Sequence, residues 1–270
     1  MKTYTLKELQ EIELQILIDF DQFCKTHGLR YYLIGGALLG AARYGRFIPW
    51  DDDVDVAMPR EDYEKLKGIF ASDRYFLQNA ESDPWFSRCI QKIRCNDTLL
   101  IEKGTEGMNI HQGIYIDIFP VDYVADNDPA RLSKRAGKIR RLMSLRAIKG
   151  GCKGARYACV KKLIRLMCPL SLTWIDQRID KLCTMENGQD HKYGVLWLHN
   201  YSWDKQIHKI ETLGEGSKCR FCDYEFVAPA DTDSFLKRVF GADYMEEPPV
   251  EKQKRPHNYM NIKTENMDGE

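Results

Sequence analysis

The sequence predicts an α+β fold, a mixed sheet core with flanking helices and a basic helical subdomain, and three observations predict it. A capped amphipathic helix opens the chain, short β-prone runs broken by glycine and proline follow, and Pro129 to Ile175 returns to helical apolar spacing. With 270 residues, 43% of them hydrophobic, the chain buries a sizeable core, which excludes disorder as its main state. The formal net charge is zero, so global charge names no partner. No window reaches 18 uncharged apolar residues, and the first 20 residues carry acids where a secretory signal needs an apolar run. A cytoplasmic location is therefore expected. Nine cysteines, an odd number without a short-domain framework, read as reduced thiols.

Thr5-Leu6-Lys7-Glu8 has the form of a capping box, and Leu9, Ile12, Ile16, Phe20 and Phe23 then repeat at helical spacing. This predicts a helix from about Leu6 to Thr26, ended by Gly28. Tyr31 to Ile34 is β-prone, Gly35-Gly36 reads as a turn, and Ala37 to Tyr44 suits a short helix packed on a sheet. Asp53 to Ala57 alternates acid and apolar residue, the period of a strand with one special face. A helix over Glu61 to Phe70 and strands over Arg88 to Arg94 and Gly113 to Phe119 follow. Near the end, residues 219–228 read as a strand, Asp233 to Phe240 as a helix stopped by Gly241, and the tail from Glu246 as weakly structured in isolation.

On a strand, Asp53 and Asp55 share a face with side chains about 7 Å apart, so both reach one hard cation. Carboxylates held this close repel and raise each other's pKa, and a divalent cation relieves that. Oxygen donors favour magnesium or manganese over zinc. An isolated Asp-Asp-Asp is more simply a solvated turn, but here it follows a glycine turn and leads into valines. Asp117, alone in the apolar run "GIYIDIFP", needs a partner if buried. Asp51 and Asp52 are supporting candidates, Asp52 pointing away from the shared face.

The string "GGALLGAARYGRFIPWDDDVDVAMPREDYEKL", then "GIYIDIFPVD" and the ending "PADTDSFLKRVFGADYMEEPP...RPHNY", resembles the LicD family of phosphocholine transferases and related phosphotransferases, which belongs to the nucleotidyltransferase superfamily and is distantly similar to fukutin-related proteins. The resemblance implies a nucleotidyltransferase-like core and transfer of phosphocholine or a similar phospho-alcohol from a CDP-linked donor such as CDP-choline. The acceptor it implies is a hydroxyl of a cell-surface glycan or its lipid-linked precursor, as in modification of lipopolysaccharide, teichoic acid or capsule, with release of CMP. Carried over by position, Asp53, Asp55 and Asp117 hold Mg2+ (or Mn2+) and act in catalysis. Gly35, Gly36, Arg46, Lys92, Arg94, Arg255 and His257 then contact the donor, while Asp51 and Asp52 support the metal site. An NTP-dependent nucleotidyltransferase and a non-catalytic module at a membrane surface are the alternatives.

Pro129 to Ile175 holds 13 Lys or Arg and no Asp or Glu, with Leu132, Ala136, Ile139 and Met143, and later Val160, Leu163, Ile164 and Met167, at helical spacing; "KGGCKG" divides it. No nucleic-acid reading module is visible, so peripheral contact with an anionic membrane at the inner face of the cell membrane competes with simple pairing to the acidic remainder. Cys219-x-x-Cys222 has half the spacing of a zinc site and no second pair nearby, so ordinary thiols are the simpler reading. The expected organisation is a catalytic core over 1–128, a basic helical subdomain over 129–190, and a segment over 191–270 that completes the core and ends in a polar tail.

Overall fold

The structure, a computed structural model, describes residues 2–150, 168–188 and 190–263. It is α+β. Helix α1 (Leu6–His27) begins at the reciprocal Thr5–Glu8 capping box and ends where Gly28 turns left-handed, as the sequence predicts. Its apolar stripe of Leu9, Ile16, Leu17, Phe20 and Cys24 is buried, and the helix packs on two strands introduced below, β4 and β5.

The sheet contains β1 (Tyr32–Ile34), β2 (Asp55–Pro59), β3 (Tyr75–Gln78), β4 (Gln91–Cys95) and β5 (Tyr115–Val124) in the order β1-β2-β5-β4-β3. Only the β2–β5 pair is parallel; the other pairs are antiparallel. The far end of β5 pairs with β6 (Tyr193–Val195), which pairs with β7 (Ile207–Lys209). The central strand β5 is thus buried along almost its whole length, which explains its near-continuous apolar run.

Helix α2 (Gly35–Tyr44) connects β1 to the acidic loop, and α3 (Arg60–Ile69) packs on β2 and β5. The basic helix α4 (Pro129–Gly150) packs on α5 (Leu172–Thr184), which is capped by Ser171. A short α6 (Ile210–Leu213) leads to a hairpin of β8 (Ser217–Phe221) and β9 (Tyr224–Ala228), followed by α7 (Thr232–Phe240), which ends at Gly241.

Several expectations change. Gly35-Gly36 forms the first turn of α2 instead of a separate turn, and β2 starts at Asp55 instead of Asp53. Strand β4 starts three residues later than Arg88, the single strand expected over 219–228 is divided between β8 and β9 of a hairpin, and β3, β6 and β7 were not anticipated. Those three strands are only three or four residues long, too short for a periodic signal. The "KGGCKG" break beyond Gly150, the apolar positions Val160 to Met167, and Cys152 and Cys159 lie outside the described residues.

The tail has little regular structure, yet it is tied down at both sides. Tyr4 N donates to Asn261 O (3.0 Å), Lys263 N to Tyr4 O (2.8 Å), Met260 N to Ile101 O (2.9 Å) and Lys103 N to Asn258 O (2.8 Å). The buried Asn261 amide donates to Leu99 O (2.6 Å) and Lys2 O (3.1 Å) and accepts from Ile101 N (3.1 Å). Asn261→Ala is expected to cost roughly 1–3 kcal/mol, because it removes these bonds and leaves the partly buried Ile101 amide without its acceptor. Urea unfolding measures the cost, and faster protease cleavage between residues 247 and 263 locates it.

Candidate active site

The register of three strands sets the site. Asp55 on β2 sits opposite Asp117 on β5, and Asp117 sits opposite Lys92 on β4, so acid, acid and base form one row across the sheet. Lys92 is fully buried. Its ammonium lies 2.8 Å from Asp117 Oδ1, 3.2 Å from Glu102 Oε1 and 3.2 Å from the centre of the Tyr115 ring. Tyr115 OH also donates to Glu102 (2.6 Å). The Lys92–Asp117 contact is close but off the line that a hydrogen bond needs, so Asp117 Oδ1 stays unsatisfied. Burial lowers the Lys92 pKa and raises that of Asp117, and their mutual attraction opposes both shifts.

Residues Asp51 to Val54 pass the N-terminal end of α2 without regular secondary structure on their way into β2. The Gln10 amide of α1 holds this loop by donating to Asp51 O (2.8 Å). The glycine pair makes room for it. A Cβ on Gly36 would overlap Asp51 Oδ2, and one on Gly35, whose φ is +59°, would lie 2.6 Å from Asp55 Oδ2. Two carboxylates therefore lie against the positive end of a helix, where side-chain bulk would exclude them.

Asp52, expected to point away, instead turns inward and is completely buried. It accepts from His257 Nδ1 (2.9 Å) and His257 N (3.3 Å), and its carbonyl accepts from Tyr259 OH (3.3 Å). His257 Nδ1 is also 3.6 Å from Asp53 Oδ2. Among the described residues, Asp52, Asp53 and His257 form a group whose potential ligand atoms all lie within 4.8 Å of one another.

Charge crowds this loop. Burial, then Asp55 and Asp52, push the Asp51 carboxyl up to about 7. Burial, then Asp55, Asp51 and Asp117, push Asp53 well above the carboxylate range. Burial opposes a charge on His257, but its hydrogen bond to Asp52 and the charge of Asp52 together outweigh that and raise its pKa. Among the described residues, three buried carboxylates keep oxygens without a hydrogen-bond donor: Asp51 Oδ2, Asp117 Oδ1 and both oxygens of Glu13. Such a donor set, nearly all oxygen and under-neutralised, fits a hard divalent cation.

Two neighbours escaped the sequence reading. Glu13 on α1 is fully buried, and burial together with Asp52 and Asp51 holds its pKa well above the usual range. It did leave a signal, since it interrupts the apolar stripe four residues after Leu9 and four before Leu17. His199, whose Nε2 is 3.6 Å from Asp55 Oδ2, packs between Phe119 and Tyr201. It lies in a loop after β6, where no local pattern marks it.

Other predicted residues fall differently. Arg94 is buried and committed to Gln78 Oε1 (2.5 Å) and Gly113 O (2.7 Å), so its role is structural rather than the predicted donor contact. Arg46 is exposed just past α2 and forms no ion pair with these carboxylates. Arg255 is half-buried, with Nη1 enclosed and without a hydrogen-bond partner. Cys219 lies on β8, and Cys222 lies in the hairpin turn with φ 55°.

Comparison with known proteins agrees with the resemblance read from the motifs. Residues 28–129 match the family described as LicD/FKTN/FKRP, nucleotidyltransferase domain. Over 266 residues, 96% of this chain and 97% of the relative, the sequence is 27% identical to the lipopolysaccharide cholinephosphotransferase LicD of Haemophilus influenzae. A 47-residue stretch, 16% of this chain and 10% of the relative, is 57% identical to the human ribitol 5-phosphate transferase FKRP. An uncharacterized protein of Rickettsia typhi is 26% identical over 135 residues, half of this chain and 42% of that protein. The segment that carries Gly35-Gly36, the Asp51–Asp55 run and Asp117 is thus the segment that matches the LicD/FKTN/FKRP nucleotidyltransferase domain, and similarity to a LicD protein extends along nearly the whole chain.

Proposed function

We propose that this protein transfers phosphocholine, or a similar phospho-alcohol, from a CDP-linked donor to a hydroxyl of a cell-surface glycan or its lipid-linked precursor. The observation that carries the reading is the convergence of Asp51, Asp52, Asp53, Asp55, Asp117 and Glu13, of which Asp51, Asp117 and Glu13 keep buried oxygens without a hydrogen-bond donor. Similarity to a cholinephosphotransferase along nearly the whole chain supports the group transferred. Residues 1–128 supply the catalytic core, 129–190 the basic helical subdomain, and 191–270 the segment that completes the core.

In this reading Asp53 and Asp55 hold Mg2+ (or Mn2+), with Asp117 beside them. His257 Nδ1 bonds Asp52, so the histidine fixes the loop, while its Nε2 is not used by that bond. The cation, when bound, supplies neutralisation of the donor diphosphate. Asp117 accepts the proton of the acceptor hydroxyl, a task its raised pKa favours, while Lys92 keeps it oriented. The hydroxyl oxygen attacks the phosphorus next to the alcohol, and the bond from that phosphorus to the bridging oxygen breaks. The phosphodiester forms and CMP leaves with the bridging oxygen. Little covalent work falls to the protein, so positioning and charge carry the catalysis.

No described helix is long and apolar enough to cross a membrane. On α4, Arg135 and Arg146 are buried against Glu186 and Asp176, whereas Lys134, Lys138 and Arg141 are exposed at helical spacing on one face. That face is suited to peripheral contact with anionic lipid near the acceptor.

Three measurements test these statements. A panel of CDP-alcohols and NTPs with magnesium is expected to release CMP from a CDP-alcohol, and Asp53→Asn or Asp55→Asn to lower that turnover by a factor of roughly 10³ or more without unfolding the protein. Pyrophosphate released from an NTP, or full activity in either variant, would overturn the assignment. The second measurement uses pH. Folded Asp51 titrates near about 7 against an ordinary 3.8, so between these values the folded state keeps a proton that the unfolded state has released. Metal-free stability therefore falls as pH rises through that window, Asp51→Asn makes the fall shallower, with Asp53 and Glu13 supplying the remainder, and added Mg2+ raises Tm more at pH 8 than at pH 5. The third is liposome pelleting, which is expected to require anionic lipid, to weaken with salt and to be lost when Lys134, Lys138 and Arg141 become glutamine.

A further inference from the structure

Beside the carboxylates, on the other side of His257, lies a cavity of about 270 Å³ lined by Arg88, Glu102, Lys103, Pro256, His257, Asn258 and Tyr259. Its charges are unevenly spent. Glu102 is occupied by Lys92 and the Tyr115 hydroxyl, and the nearby charges of Lys92, Arg88 and Arg94 with that hydroxyl hold its carboxyl ionised and below the usual range despite burial. Arg88 is half-buried, yet it forms no hydrogen bond or ion pair with a described residue, although Glu102 and Asp117 are near enough to favour its charge. Lys103 is exposed, and only its backbone is used, in a bond to Asn258 O. A half-buried guanidinium without a partner, facing a cavity, is costly unless an anion fills the space.

We infer that Arg88, with Lys103 at the rim, forms a subsite for a phosphate oxyanion of the donor diphosphate, adjoining the acidic loop across His257. The planar fork of Arg88 suits two phosphate oxygens, while the carboxylates on the far side repel any anion that comes without a cation. The donor is thereby held between two unlike poles, and a neutral or singly charged ligand gains little from either. The identity of the donor rests on the phosphotransfer reading; the anion subsite does not.

Calorimetric titration with inorganic pyrophosphate at saturating Mg2+ tests the subsite without a nucleotide or an acceptor. Wild-type protein is expected to bind it, Arg88→Gln to weaken binding roughly tenfold to a hundredfold, and Arg88→Lys to recover part of the loss. Mg2+ affinity and Tm in Arg88→Gln are expected to match wild type. Pyrophosphate affinity within about twofold of wild type in Arg88→Gln would overturn the subsite, as would absence of binding to wild type at millimolar concentration. If wild type binds pyrophosphate through Arg88 but turns over no CDP-alcohol, the subsite stands and the phosphotransfer reading falls.

Discussion

The rest of this structure is arranged around the mutual repulsion of carboxylates gathered at one edge of the sheet. Asp51, Asp53 and Glu13 each sit where burial and their neighbours disfavour ionisation. Much of what surrounds them exists to hold them there. Glycines at the start of α2 give them space, Gln10 fixes the loop backbone, and His257 is brought from the far end of the chain to bond Asp52. Stability is given up locally in exchange for a site that attracts a multivalent cation.

Strand β5 shows the contrast between an acid used for folding and one left available. Asp122 is wholly buried and fully answered: Arg60 donates to both its oxygens at 2.8 Å, and Asn187 adds a third bond at 2.9 Å. Five residues earlier, Asp117 has one cation at its side and an oxygen still unsatisfied. Both are acids in an apolar strand, and only the completeness of their partnerships separates them. The first pins α3 to the sheet; the second keeps bonding capacity for something outside the protein.

Much of this was legible in the sequence. The capping box, the apolar repeat of α1, the glycine pair, the acid run and the lone Asp117 are local signals, and each corresponds to a feature of the structure. What stayed hidden depends on contacts between distant residues. Arg94 and Lys92 are alike on paper, yet register gives one to Gln78 and Gly113 and the other to Asp117. Asp52 was assigned outward by strand parity, but the strand begins at Asp55, so parity does not reach it. His199 arrives through the pairing of short strands that have no periodicity to detect.

The clasp of the tail has a consequence for how the molecule is made. Residues 257–262 reach back to Tyr4 and Asp52, across some of the longest sequence separations the chain allows. The sheet and its acids are synthesised long before the histidine that steadies them, so a nascent chain carries this charged loop unclasped until residues 257–262 emerge. A polypeptide interrupted before residue 257 retains the acidic edge but lacks the arrangement around it.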